Sequence, residues 1–291
     1  MKIVKRIRPL WVLWALLALT AVGWAVSELS GQANKTAADA GASSADMEMA
    51  SLDSIKPSQK SPLCDWALEK QLRNKLNKLD GQYKTLVSKA QSETASNGEV
   101  SKATGAKLLQ SANEFKQTSD QYAAMWAKCD CKTRADLARE TGKSRVASAE
   151  LIVAGADSSK ADALRAQQNK MNDARHAYAK EAADNNELSD ADKAAVKASV
   201  MPRAQRLVGE TGNLVMELTK LLNSIRSQAT PGGIVAGVGG CASKTVGGGA
   251  SSDPSDAATS LLAPVTSLLK LAEGLASNAK SLVDDTSLLT K

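Results

Sequence analysis

Apolar residues recur along this chain in several different patterns, and each pattern predicts a different element. From Leu10 to Val26 they form a run of 17 residues with no charge. From Cys64 onward they return every three or four residues: Cys64, Leu68, Leu72, Leu76, Leu79, Tyr83, Leu86 and Ala90 fall on one face of a helix. Asn97-Gly98 breaks that spacing as a turn, and a second stripe follows at Leu108, Phe115, Tyr122 and Cys129. Two antiparallel helices hinged near residue 97 bring together positions whose numbers share a nearly constant sum. Cys64 with Cys129, Trp66 with Trp126, Leu72 with Tyr122 and Leu79 with Phe115 all fit one such register.

A second helical region is expected from about Thr133 to Ala183, with a weak point at Gly155 to Ser159 and a turn at Asp184-Asn185-Asn186. Its thin stripe is Leu164, Met171 and Tyr178. Ser189 followed by Asp192 is a capping signature for a helix carrying Val200, Leu207, Leu214 and Leu221, with Ala204, Leu218 and Ile225 between them. This is a heptad stripe, bent near its start by Pro202. Residues 27–62, rich in Ser, Ala and Gly, show no sustained apolar period, and neither does the glycine-rich stretch after Thr230. The chain closes on Leu261, Leu268, Leu275, Leu282 and Leu289 at unbroken sevens.

The pattern therefore predicts an all-α protein. An N-terminal signal anchor or transmembrane helix (1–26) is followed by a flexible tether (27–62) and an antiparallel helical-hairpin bundle of about four long helices (63–230, hairpins 63–131 and 133–229). A Gly-rich loop (231–255) and an amphipathic Leu-heptad helix (256–291) complete it. That last stripe must be covered, either by its own bundle or by a protein partner or second copy.

Composition agrees with thin, closely packed helices: 43% of residues are hydrophobic but only 3% are aromatic. An all-β sandwich or an aromatic-lined site is hard to build from that set. The net charge of +6 first suggests an anionic partner, but four of those charges are Lys2, Lys5, Arg6 and Arg8, directly ahead of the apolar run. Positive then apolar is a topogenic signal that leaves the N-terminus in the cytoplasm. It is read as an uncleaved anchor flanked by Trp11, Trp14 and Trp24, or as a signal cleaved after Ala25. No basic run follows residue 8, so a nucleic-acid partner has no electrostatic footprint.

Candidate chemistry is sparse. Export to an oxidising compartment and four cysteines suggest two disulfides, Cys64–Cys129 clamping the hairpin and Cys131–Cys241 pinning the Gly-rich loop, with Cys64–Cys131 as the rival pairing. A Cys-x-Cys without further paired ligands is poor spacing for zinc. His176 is the single histidine and lies in a polar helical stretch, so it reads as a surface residue. Gly142-Lys143-Ser144 and the string around Lys244-Thr245 fall short of a phosphate loop, and Ser267 to Lys270 and Ser277 to Lys280 lack the partners of a serine nucleophile. Trp66 and Trp126 are expected to plug the hairpin base, and the Asn34-Lys35-Thr36 sequon to be a coincidence.

No cofactor or metal is expected. The expected function is non-enzymatic: a single-pass bacterial inner-membrane protein facing the periplasm, serving as a structural or adaptor subunit of a cell-envelope assembly such as a secretion or conjugation apparatus. It would hold the membrane through residues 10–26 and a partner or second copy through the C-terminal stripe. The alternatives are an exported soluble helical protein for a hydrophobic or cell-wall ligand, and a membrane-acting lysis or toxin protein.

Overall fold

The computed structural model describes the backbone of residues 8–58, 65–229 and 254–291, and the side chains of 27–58, 65–227 and 259–291. Among these residues every regular element is a helix. They are α1 (Arg8–Ser54), α2 (Trp66–Asn97), α3 (Lys102–Lys128), α4 (Lys132–Ala154), α5 (Ser158–Asp184), α6 (Asp190–Ala229) and α7 (Pro254–Leu289).

The main departure from expectation is α1. Residues 27–54, expected to be a tether, continue the helix and form the axis of the bundle. Ala33, Ala37, Ala40, Ser44, Met47, Glu48, Ser51, Leu52 and the following Ile55 are all buried. The segment has no proline until Pro57 and is rich in Ala, the best helix former, while packing on several sides holds its serines and acids in the helix. Its small side chains let neighbours approach from several sides. A Cβ at Gly41 would collide with Ile152 of α4, which is why this position has none. The helix stops at Ser54, before the Lys56-Pro57 pair that disfavours helical backbone.

Six helices surround this axis. α2 packs on α3, α3 on α4, α4 on α5, α5 on α7 and α7 on α6, and all but α3 also meet α1. The ring does not close, because α6 and α2 make no contact with each other. The path runs up and down, so turns collect at two ends. At one end Asn34 of α1 donates to Gly98 O at 2.8 Å and accepts from Ala156 N at 2.8 Å, tying the α2–α3 and α4–α5 turns to the axis. At the other, the C-terminus of α1 meets the α3–α4 and α5–α6 turns.

Several expected details are in place. Tyr122 of α3 donates to Glu69 of α2 at 2.8 Å and Ser101 N donates to Glu93 at 2.9 Å, consistent with the register read for the first hairpin. Gly98 takes the left-handed cap conformation at φ 78°. Ser189 accepts from Asp192 N at 3.0 Å as the cap of α6. The weak point at Gly155 is a full break, so residues 133–229 contain three helices and not one hairpin. Among the described residues no helix is long and apolar enough to cross a membrane; the side chains of the apolar run 10–26 lie outside them. So does the Gly-rich segment up to residue 253, while 254–255 open α7.

Candidate functional site

The C-terminal leucines were the expected interaction surface, and the structure uses them otherwise. Leu268, Leu275, Leu282 and Leu289 are buried and Leu261 packs partly buried against the same core. α7 lies against α6, α5 and α1, so its apolar face is covered by its own chain and is not presented to a partner. The physical reason is that the axis α1 offers α7 a third wall, which a hairpin bundle without α1 would lack.

What distinguishes the interior is a row of charged groups along α1. Glu48 is fully buried and accepts from the hydroxyls of Ser44 (3.0 Å), Ser144 (2.8 Å) and Ser148 (2.8 Å), while its second oxygen takes the Nε of Arg145. Arg145 reaches on to Asp80 of α2 at 3.0 Å and to the Ala45 carbonyl at 3.2 Å. Its guanidinium sits between two rings, 4.4 Å from the Tyr83 centroid and 4.1 Å from that of Phe115. Gln168 of α5 donates to the Ser44 and Ser144 hydroxyls. Burial pushes the Glu48 carboxyl upward, with Arg145 and the hydroxyls opposing. Burial would lower Arg145, but Glu48 and Asp80 outweigh it and hold the cation. One carboxylate from α1, one from α2 and one guanidinium from α4 thus fix three helices in register.

A second cluster holds α7. Arg175 of α5 donates its Nε to Asp285 at 2.8 Å and its Nη2 to the Asn278 carbonyl at 3.1 Å, and reaches Ser51 of α1 at 3.4 Å. His176 lies outside it with a largely exposed ring, as expected, and its Nδ1 is 2.9 Å from the other Asp285 oxygen.

A third group closes the end of α1. The last carbonyls of a helix have no intrahelical donor, and here they are inside the protein. Arg73 donates to Leu52 O (3.3 Å) and Ile55 O (2.7 Å), Tyr178 to Ser54 O (3.0 Å) and Arg134 to Lys56 O (2.9 Å). Cations at a helix C-terminus also suit its dipole. Each arginine has its own carboxylate, Glu69 for Arg73 at 2.8 Å and Glu187 for Arg134 at 2.6 Å. Burial, with Arg73 nearby, pulls the Lys56 amine downward.

Two cysteines lie at this same end. Cys129 and Cys131 flank Asp130, whose φ of 57° is left-handed. Cys129 is disulfide-bonded, and Cys64 and Cys241 lie outside the described residues. Cys131 is a free, buried thiol, so the expected Cys131–Cys241 bond and the rival Cys64–Cys131 bond are absent. Burial pushes its pKa upward, which makes it a poor nucleophile. The tryptophan plug also needs correcting. Trp126 is buried, edge-on to Tyr122 at 5.8 Å and beside Arg134 at 5.6 Å, whereas Trp66 is 44% exposed. Trp66 opens α2 at the bundle's rim, where Arg134 has taken the place expected for its ring.

Where α2 and α6 fail to meet, a slot exposes one strip of α1. It holds cavities of about 360, 330 and 270 Å³. Lys35, Asp39 and Asp46 form the floor, Lys84 and Gln91 one wall, and Arg206, Glu210 and Glu217 the other. The charges are largely paired: Lys35 with Asp39 at 3.2 Å, Lys84 with Asp46 at 2.8 Å and Arg206 with Glu210 at 3.4 Å. No group of His, Cys, Asp and Glu suited to a metal ion occurs among the described residues.

The remaining sequence candidates resolve simply. Gly142 lies mid-helix in α4, where a Cβ would stand 2.8 Å from Ser119 and 3.2 Å from the Lys116 backbone; it serves close packing of α3 on α4. The second phosphate-loop string lies outside the described residues, and both Ser-x-x-Lys strings are helical turns of α7. Asn34 uses its amide to bind Gly98, so the sequon is occupied by a structural bond. Sequence reasoning missed Glu48, Arg145, Arg175, Asp285, Arg134 and Arg73. Comparison of the chain with protein-family models, with curated proteins and with solved structures returns no match.

Proposed function

We propose that the chain is a non-enzymatic structural or adaptor subunit of a bacterial cell-envelope assembly, such as a secretion or conjugation apparatus, anchored in the inner membrane and facing the periplasm. One observation carries the reading. The apolar run 10–26, preceded by four positive charges, lies on the same helix as the axis of the bundle. An anchor built this way transmits position and orientation to the bundle, which suits a part of an assembly. The interior supports it further: its charged groups pair across helices and cap a helix, arrangements that hold shape. With the C-terminal stripe covered, a partner would meet the outer helix faces or the slot between α2 and α6.

Fusions at Lys291 test the topology. An alkaline phosphatase fusion should be active and a green fluorescent protein fusion dark, with the chain retained in alkali-washed membranes. A bright fluorescent fusion in the soluble fraction would sink the proposal. The second reading, an exported soluble protein, has its own support, since cleavage after Ala25 would leave every described core residue from Leu29 onward. Intact mass of the native protein separates the two: the anchored form keeps its first 25 residues. The membrane-acting alternative loses ground, because the apolar face of α7 that it required is inside the bundle.

A further inference from the structure

We propose that a second copy of the chain packs in parallel against the outer face of α6, joining two bundles along a seam made of one helix from each. The core stripe of α6, Val200, Leu207, Leu214 and Leu221, is buried. A second line at heptad spacing runs along the side turned away from it. Steps of four and three residues lead from Gln205 through Gly209, Gly212, Met216 and Thr219 to Asn223, and none of these is charged. All are exposed except Gly212, which is half-buried. Such spacing keeps a line on one face over several turns, which is how two helices pair along their length.

Two observations mark this line as a contact face. Glycine inside an exposed helix weakens it relative to alanine, yet Gly209 and Gly212 both lie here, with nothing within 4 Å of where a Cβ would stand. Met216, at 55%, is the most exposed large apolar side chain among the described residues. Two gaps and a protruding side chain on one line suit a helix that approaches closely. The charges of this stretch turn another way, since Arg206, Glu210, Glu217 and Lys220 line the slot between α6 and α2.

The residue types on the line select a second copy as the occupant. In a parallel pair with its twofold along the helices, each residue meets its own copy across the seam. A charged residue would repel itself there, and the line has none. Amides and hydroxyls both donate and accept, so Gln205, Thr219 and Asn223 can each satisfy themselves. Gly209 and Gly212 let the backbones draw together, and Met216 packs on the partner's Met216. The seam does not depend on the anchor reading, although anchored copies would also stand parallel.

Sedimentation equilibrium of the full chain in mild detergent tests this, with variants at exposed positions that leave the core intact. The chain should be dimeric. Gln205→Glu, Gln205→Lys and Met216→Lys should each weaken the dimer about tenfold or more, because each sets a charge against its own copy, while the circular dichroism of the protomer stays unchanged. Gly209→Ala should loosen the dimer even as it steadies the protomer's helix. Mixing Gln205→Glu chains with Gln205→Lys chains should restore a dimer holding one of each. A monomer at every concentration, or a dimer indifferent to all the variants, overturns the proposal. A dimer weakened by the variants but not rescued by mixing overturns it too, since residue 205 would then not face itself.

Discussion

Replacing Glu48 with glutamine is the sharpest test of the claim that buried charge holds α1 in place. The side chain keeps its size but loses the charge that faces Arg145, and brings donors toward a guanidinium. Breaking a buried ion pair by removing one partner costs about 3–5 kcal/mol. The lower end applies here, because Asp80 stays on Arg145 at 3.0 Å. For a domain of 150–250 residues each kcal/mol moves Tm by about 2–4 °C, so Glu48→Gln should lower it by roughly 6 °C or more. Arg145→Met should cost more, since it strands Glu48 and takes from Asp80 its buried partner. Asp80→Asn should cost least, because Asp80 is slightly less buried than Glu48 and also has Lys84 at 3.2 Å. The double variant Glu48→Gln/Arg145→Met should fall well short of the summed single effects, with a coupling of about 1–3 kcal/mol. Urea and thermal unfolding of the full chain in mild detergent, followed by far-UV circular dichroism, measure all four. A loss under about 1 kcal/mol for Glu48→Gln, or strict additivity in the double variant, would refute the reasoning.

Three further outcomes are expected. Gly142→Ala should destabilise by about 1–3 kcal/mol, because its Cβ meets α3, whereas Gly209→Ala, on a helix face with nothing nearby, should stabilise by about 0.5–1 kcal/mol; differential Tm reads both. Leu275→Ala should cost about 2–5 kcal/mol, which a detachable α7 would not show in urea unfolding. Glu93 is held below the usual carboxylate range by the Thr104 hydroxyl and the Ser101 N–H, and Asp157 by the Ser159 hydroxyl and the Lys160 N–H. A depressed folded-state pKa gives stability that is present above the unfolded value and lost as pH falls through the folded one. Hydrogen-exchange protection factors at the turns near Gly98 and Ala156 should therefore fall in acid as these carboxylates protonate, ahead of protection at Arg134, and a uniform loss would contradict this.

Of the seven helices among the described residues, α4 was read as helix without a clear stripe, and five more were legible as stripes because each has one covered face and one wet face. α2, α3, α5, α6 and α7 show that contrast as stripes such as Leu72–Leu76–Leu79–Tyr83 and Val200–Leu207–Leu214–Leu221. α1 has no such contrast. It is surrounded on nearly all sides, and its neighbours demand small residues, so its Ala and Ser read as a linker. Part of the polar core left a trace. Asp80 lies between Leu79 and Tyr83, and Arg175 sits four residues after Met171 and three before Tyr178, both on apolar faces where a charge needs a partner. The partners themselves were out of reach, because Glu48 and Arg145 are 97 positions apart and Arg175 and Asp285 are 110. Helical spacing constrains neighbours within a turn or two and says nothing at that range.

The position of α1 also sets a problem for synthesis. Residues 27–54 leave the ribosome before the helices that enclose them, since Asp53 waits for Arg203, 150 positions later, and Ser51 for Arg175, 124 later. During that interval a nascent helix rich in leucine or valine would be open to aggregation or capture by chaperones. Alanine, serine and a few acids leave little for either to grip. The composition that disguises α1 as a linker is therefore suited to a segment that must stay exposed until the rest of the chain arrives.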